Sequence, residues 1–507
     1  MKSIKLLTKA GLLSLLLWPL ACKDRLDVQP LEQLTSADYF TTAEDAVKGT
    51  NAIYNILRTD NFNEGLFPIF DIMSDDARPG SSPNDQPFVV QETLEKLLMN
   101  SNSGHASRWY NTLYQGIRRA NAVVERVPAI TMDDKLKNRC LGEARFLRAL
   151  FYLDLARGYA GGDSVGYGGV PLITTVLPPT TDAVRQVEGN TLYHQLIYPD
   201  LIFAAQNLDP MYGGADLGRA TKGAANALLA RAALYFKDFN TARQATSRII
   251  DAGTYSLEPD FSRAFRTEGN YGPESIFEVG SLPFEDHAAD GRGGNGYGQV
   301  QAIRGNPNRG YGFNRMSMEL IRDFESGDVR REKSIIRLGE VLDGITIFGD
   351  LETPDLRKTE SGDTLEIEVY NEKVWVPGTD PNASNAHHRR IIRFADVLLM
   401  AAEAELELGN AGKAAEYANR VRARARATPA DLPDLQASDP NFKQALHRER
   451  RHELALESSR FFDLVRWGEA EAVMGPLGFK KGKNERLPIP QIEIDITGNK
   501  IKQNPGY

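Results

Sequence analysis

The stretches ALLARAALYFKDFNTARQATSRII (227–250) and LLMAAEAELELGNAGKAAEYANRV (398–421) decide the fold, because both follow one plan. An apolar helical run gives way to a short polar turn, and a second run follows at 3.6-residue spacing. Small residues recur at matching places: Ala230, Ala233 and Ala242 in the first, Ala401, Ala404 and Ala414 in the second. Side chains of that size let two antiparallel helices approach closely. Such a hairpin buries its remaining apolar surface only by stacking on another. The pattern predicts tetratricopeptide-like hairpins. The Trp and Pro of the full repeat are missing, so a plain helical bundle is the competing arrangement.

Helical patterns extend outward on both sides. Residues 43–58 place Ala46, Thr50, Ile53, Tyr54 and Leu57 on one face, with Thr41 and Thr42 as caps. Residues 107–127 repeat this with Trp109, Leu113, Ile117, Ala120, Val124 and Val127 before Pro128. Residues 134–158 are apolar on nearly two faces, which predicts a helix buried between neighbours. Further helices are expected over 190–208, 221–236, 239–252, 393–409, 411–425 and 441–467. Between them lie irregular regions at 60–105, 159–190 and 255–392. Loops of that length inside a compact protein usually carry function. Short runs such as Ser275–Val279 suggest minor β structure. The fold class is therefore mostly α, with helical hairpins and long insertions.

A chain of 507 residues with 25% charged and 9% aromatic residues is neither disordered nor a polytopic membrane protein. Its net charge of −8 argues against nucleic acid, a polyanion that needs a basic face. Two cysteines supply neither a disulfide framework nor a four-cysteine zinc site. One of them, Cys22, closes an N-terminal address segment. Lys2, Lys5 and Lys9 precede an apolar run from Gly11 to Leu17, too short to span a bilayer, and the segment ends Trp18-Pro19-Leu20-Ala21-Cys22. This is the pattern of a bacterial lipoprotein signal, with its leucine two residues before the cysteine. Residues 1–21 are expected to be removed and Cys22 acylated, holding the mature chain at a membrane surface. The other cysteine, Cys140, falls in a helical pattern and reads as a buried, inert thiol.

Catalytic motifs occur out of context. Gly162-Asp163-Ser164-Val165-Gly166 matches a nucleophile elbow but follows a helix instead of a strand. Gly291, Gly293 and Gly296 match a dinucleotide loop with no strand feeding it. His387 and His388 are adjacent, so on a strand they point to opposite faces and do not share a metal. His452-Glu453 lacks the second His of a zinc helix. No enzyme, cofactor or metal is called for.

The densest pattern is ERRHELALESSRFFDLVRW (449–467), where charge alternates with Leu454, Leu456, Phe461, Phe462, Leu464 and Trp467. On one continuous helix Glu453 and Glu457 share a face, and Arg460 and Asp463 stand at ion-pairing steps. The carboxylates read as charges satisfied within a half-buried helix, with a general acid/base pair as the alternative. Arg450, Arg451, Glu453, Glu457, Arg460, Asp463, Leu464, Arg466 and Trp467 resemble the helix that marks the SusD/RagB family of Bacteroidetes lipoproteins. Leu487-Pro488-Ile489-Pro490 through Asn504-Pro505-Gly506-Tyr507 is similar to that family's ending. Leu26-Asp27-Val28 with Pro30, Trp109 with Tyr114, Gly116, Ala120 and Asn121, and Arg393 with Asp396-Val397-Leu398-Leu399-Met400 fit in family order.

The resemblance implies a helical body in two parts, 22–230 and 270–507. It implies a surface lipoprotein anchored in the outer membrane that captures an oligosaccharide, or in the RagB branch a peptide. The partner it implies is a SusC-type TonB-dependent transporter, and the role is binding without catalysis. A helical-repeat scaffold and a glycosidase are the other classes. Ligand contacts are expected from the loop after the first helix (Asp75, Asp76, Arg78, Asn84, Phe88) and from the central insertion (Tyr297, Tyr311, Phe313). Trp109 and Trp467 sit in helices, which leaves Trp375 as the free tryptophan. Few tryptophans lean the ligand toward a charged oligosaccharide or peptide.

Overall fold

The computed structural model describes residues 40–63, 68–80, 95, 97–161, 169–176, 185–281, 296–349, 368–378 and 386–507. Cys22, the Gly162–Gly166 motif, and Asn84 and Phe88 lie outside them.

Helix α1 (Ala43–Leu57) starts at a reciprocal cap. The Thr42 hydroxyl accepts from the Asp45 amide at 3.2 Å, and the Asp45 carboxylate accepts from the Thr42 amide at 2.8 Å. Helices α2 (Gly104–Arg126) and α3 (Asp134–Leu155) form the first long hairpin. They approach so closely at Gly116 that a β-carbon there would lie 2.4 Å from the Phe151 ring. Only the missing side chain allows this crossing. As expected, α3 is buried on almost every side, and Cys140 is buried with it.

After α4 (Tyr198–Asn207) come the two pairs that carry the repeated pattern. The first is α5 (Lys222–Tyr235) with α6 (Phe239–Ala252), and the second is α7 (Phe394–Glu407) with α8 (Ala411–Arg424). Each helix packs on the next in an unbroken series from α1 to α8, with α6 against α7 joining the two pairs across the insertion. All six alanines at matching positions are buried. Stacked hairpins, not a closed bundle, are the observed arrangement. Gly253 ends α6 in the left-handed conformation (φ +64°) that glycine adopts at no steric cost.

The expected helix over 441–467 is instead two, α9 (Phe442–Glu453) and α10 (Arg460–Trp467). Between them Leu456 and Ser458 take positive φ, of 58° and 55°. Propensity and apolar spacing do not foretell the break, because what holds it is tertiary. Ser458 N donates to buried Asp71 at 2.8 Å, and Glu457 accepts from Arg393 and Lys373.

Short strands punctuate the loops, among them β1 (Ala77–Arg78), β2 (Ser275–Val279), β3 (Arg315–Met316), β4 (Ile335–Arg337), β5 (Val369–Asn371) and β6 (Arg389–Arg393). They pair antiparallel as β1 with β3, β2 with β6, and β4 with β5. The β2–β6 ladder sets Arg389 opposite Val279 and delivers the chain directly into α7. None of the described helices is long and apolar enough to cross a membrane.

Candidate ligand face

Three segments outside the hairpins meet: the turn after α1 (residues 58–63), the stretch 296–313, and Arg389 at the start of β6 with the residues before it. The Gly296 amide donates to Asp60 Oδ1 at 2.9 Å, closing the first against the second. Arg389 Nη1 donates to Asn63 Oδ1 at 2.8 Å, closing the first against the third. The Arg389 guanidinium lies 4.6 Å from the centroid of the Tyr297 ring, whose other neighbour is His387, stacked at 6.0 Å and 22°. The chain then doubles back, with Tyr311 N donating to Gln299 O and Phe313 N to Val300 O. Tyr311 is 45% exposed and packs on Phe313 at 5.7 Å between centroids, while Phe313 itself is buried. This gives one exposed ring surface, Tyr311, on a support in which Tyr297 and His387 are buried and Arg389 is half-buried. Stacking on a sugar's C–H face or on a planar peptide group needs such a surface.

Other predicted ligand residues hold different posts. Asp75 Oδ1 accepts from Arg460 Nε at 2.8 Å and its Oδ2 from Arg451 Nη2 at 2.7 Å. Asp76 Oδ1 accepts from Arg451 Nε at 2.7 Å. Burial pushes the Asp75 pKa up, but hydrogen bonding from Arg460 and the charge of Arg451 outweigh it, so the carboxyl stays below its ordinary range. Arg78 donates to Glu319 at 3.0 Å and to its neighbour's carbonyl at 2.9 Å. These three pin the loop after α1 to α9, α10 and the insertion. Trp375 is buried, not free: its Nε1 donates to Asp343 at 2.5 Å, and Arg309 covers its ring at 4.7 Å. The sequence does not foretell that His387 and Arg389 pack on Tyr297 at this candidate face. Their adjacency to Tyr297 is tertiary and leaves no spacing signal.

The charged helix pattern belongs to a buried ionic hub. Glu453 accepts from Arg330 at 3.1 Å, from Arg393 at 3.0 Å and from Arg424, although all four side chains come from different segments. Burial alone would raise its pKa. The charges of Arg424, Arg393 and Arg330 overcome this and hold it down at about 2. Asp463 keeps a pair along its own helix, with Arg466 three residues on, and takes Arg450 of α9 as well, whereas Arg460 pairs with distant Asp75. Arg450 and Arg231 both donate to Asp396, at 2.6 and 2.7 Å, locking α9 and α5 onto α7.

His388 Nδ1 lies 2.7 Å from Glu278 Oε1, and its ring packs edge-on against Tyr271 at 5.2 Å. Among the described residues, no group of three His, Cys, Asp or Glu side chains is placed to hold a metal ion. An open groove of about 550 Å³ runs past this pair, between α1, the 215–219 turn and β2.

Residues 68–234 match the family model described as "Starch-binding associating with outer membrane", and residues 273–478 match the SusD family model. The chain is 25% identical over 515 residues to SusD-like protein P25 of Formosa agariphila, covering 94% of each. Among solved structures it resembles a laminarin binding SusD-like protein, with a TM-score of 0.74 and 27% identity over 92% of this chain and all of that one. Surface glycan-binding protein A from Bacteroides thetaiotaomicron, in complex with laminarihexaose, shares the fold at a TM-score of 0.74 and 22% identity, over 92% of this chain and 100% of that chain.

Proposed function

The chain belongs to the SusD/RagB family, and from that premise we propose that it is a surface lipoprotein that captures oligosaccharide at the outer membrane and hands it to a SusC-type TonB-dependent transporter, without cleaving it. The observation that carries the reading is the likeness, over nearly the whole chain, to a SusD-like protein that binds laminarin. The exposed Tyr311 ring, backed by buried Phe313 on a support that includes half-buried Arg389, supports it, since a flat ring flanked by polar groups suits sugar recognition. Acylation at Cys22 supplies the anchor. The buried pairing of Asp75, Asp76 and Arg78 gives those three a structural duty, so ligand contact falls to Tyr311 and its neighbours.

Electrophoresis in native gels containing laminarin tests the reading. The protein is expected to be retarded, and Tyr311→Ala to weaken retention by about tenfold, the loss of one aromatic contact. Unchanged mobility of the parent protein across neutral and acidic glycans alike rules out glycan capture.

A further inference from the structure

Behind Tyr297 and Arg389 lies a cavity of about 50 Å³. Its wall draws on Trp109 from α2, Arg157 from the turn after α3, Ser458 from the break between α9 and α10, and Arg390 from β6. A space of that size holds a few waters or the charged group of a larger molecule, not a sugar ring. Trp109 Nε1, Arg157 Nε and Ser458 Oγ are all buried without a hydrogen-bond partner among the described residues. The first two can only donate, and the hydroxyl can donate as well.

The charges lining the cavity are unequal. Arg157, Arg231, Arg389 and Arg390 face two carboxylates, Asp154 and Glu457. Glu457 is claimed from its other side by Arg393 at 2.8 Å and Lys373 at 2.7 Å, while Asp154 serves Arg157. Arg231 is paired with Asp396 at 2.7 Å, so both lining carboxylates pair with cations other than Arg389 and Arg390. Among the described residues, Arg390 donates to neutral acceptors, the carbonyls of His388 and Arg266 and the Asn270 amide oxygen, with Glu278 3.8 Å from its Nε. Burial lowers the Arg390 pKa, as it does for a cation whose neighbours compensate it incompletely. Unused donors and surplus positive charge suit a group that only accepts and carries negative charge.

We propose that this cavity is an oxyanion subsite, which takes a carboxylate or sulfate group borne by the captured glycan and so selects acidic over neutral oligosaccharides. Tyr297 and Arg389 belong both to its wall and to the ligand face, so one ligand can occupy both. The inference rests on the glycan-binding reading above. It places a local cationic site in a chain whose net charge of −8 would otherwise repel such ligands.

Matched pairs that differ only in charge test it: oligogalacturonides against their methyl esters, and sulfated chondroitin oligosaccharides against the same material desulfated, with laminari-oligosaccharides as a neutral reference. In titration calorimetry at low salt, the acidic member of at least one pair is expected to bind about tenfold tighter than its neutral twin. Arg157→Gln should bring that ratio close to one, and Arg390→Gln repeats the measurement should the first variant unfold. A ratio near one in the parent protein, or a ratio that both variants leave unchanged, overturns the subsite. Binding of laminari-oligosaccharides without either acidic series does the same while leaving glycan capture intact, whereas no binding of any glycan refutes capture itself. Saturable uptake of radiolabelled sulfate in equilibrium dialysis, without discrimination within the pairs, assigns the cavity to a resident ion and overturns selection by the glycan's own charge.

Discussion

The Glu453 carboxylate touches arginines from three other segments, so it joins parts of the chain far apart in sequence. Removing one partner of a buried ionic cluster strands the rest, typically at about 3–5 kcal/mol. Glu453→Gln is therefore expected to destabilise the fold by roughly that amount, while the ligand face, built from other residues, keeps its glycan. The same site predicts the acid limb of stability. Glu453 and Glu403 are both held at about 2 in the folded chain, the latter because the Arg466 charge and hydrogen bond outweigh its burial, and the ordinary value is 4.5. A carboxyl whose folded pKa is depressed stabilises the fold above its unfolded value and loses that contribution as pH falls toward the folded one. Thermal unfolding should thus show a midpoint falling from about pH 4.5 downward, less steeply in Glu453→Gln. A variant that melts like the parent but no longer holds glycan would contradict this structural role. Little of the hub was legible in the sequence. The residue types were plain at 449–467, but Asp76 and its partner Arg451 stand 375 positions apart, and no local spacing reports such a pair.

Among the elements, the hairpins were the most readable part, because matched alanines such as Ala233 and Ala404 record how closely two helices approach. The break between α9 and α10 was hidden for the opposite reason. Its apolar and charged residues continue a helical pattern, and only contacts from Asp71, Lys373 and Arg393 pull the backbone out of it. Two-residue strands such as β1 and β3 leave no periodicity to find. Trp375 looked free because it lies outside any helix, yet Asp343 and Arg309 bury it. The α2–α3 crossing yields its own prediction. Gly116→Val places atoms where the Phe151 ring now sits, and overpacking of this kind costs about 1–3 kcal/mol. Chemical denaturation should show a lower midpoint with an unchanged slope, and a midpoint equal to the parent's would mean that α2 and α3 do not need that closeness.

Across the whole molecule, a stack of helical hairpins carries the loops, and the proposed tether is a lipid on Cys22. Cys22→Ala is expected to move the protein from the membrane fraction to the soluble one, and a variant still pelleting with membranes would refute the lipid anchor. The family assignment and the hairpin stack were both legible beforehand from motifs in order along the chain. The candidate ligand face was legible only in part: Tyr311 packs on Phe313, but Tyr297 is held by His387 and Arg389 through a fold that no motif announces. The central claim is capture without chemistry, and one measurement reaches it most directly: incubation of the purified chain with laminarin and an acidic glycan, following retention and newly formed reducing ends in the same sample. Retention with no rise in reducing ends is the predicted result. Release of reducing ends above the protein-free control, in proportion to the protein added, would contradict it.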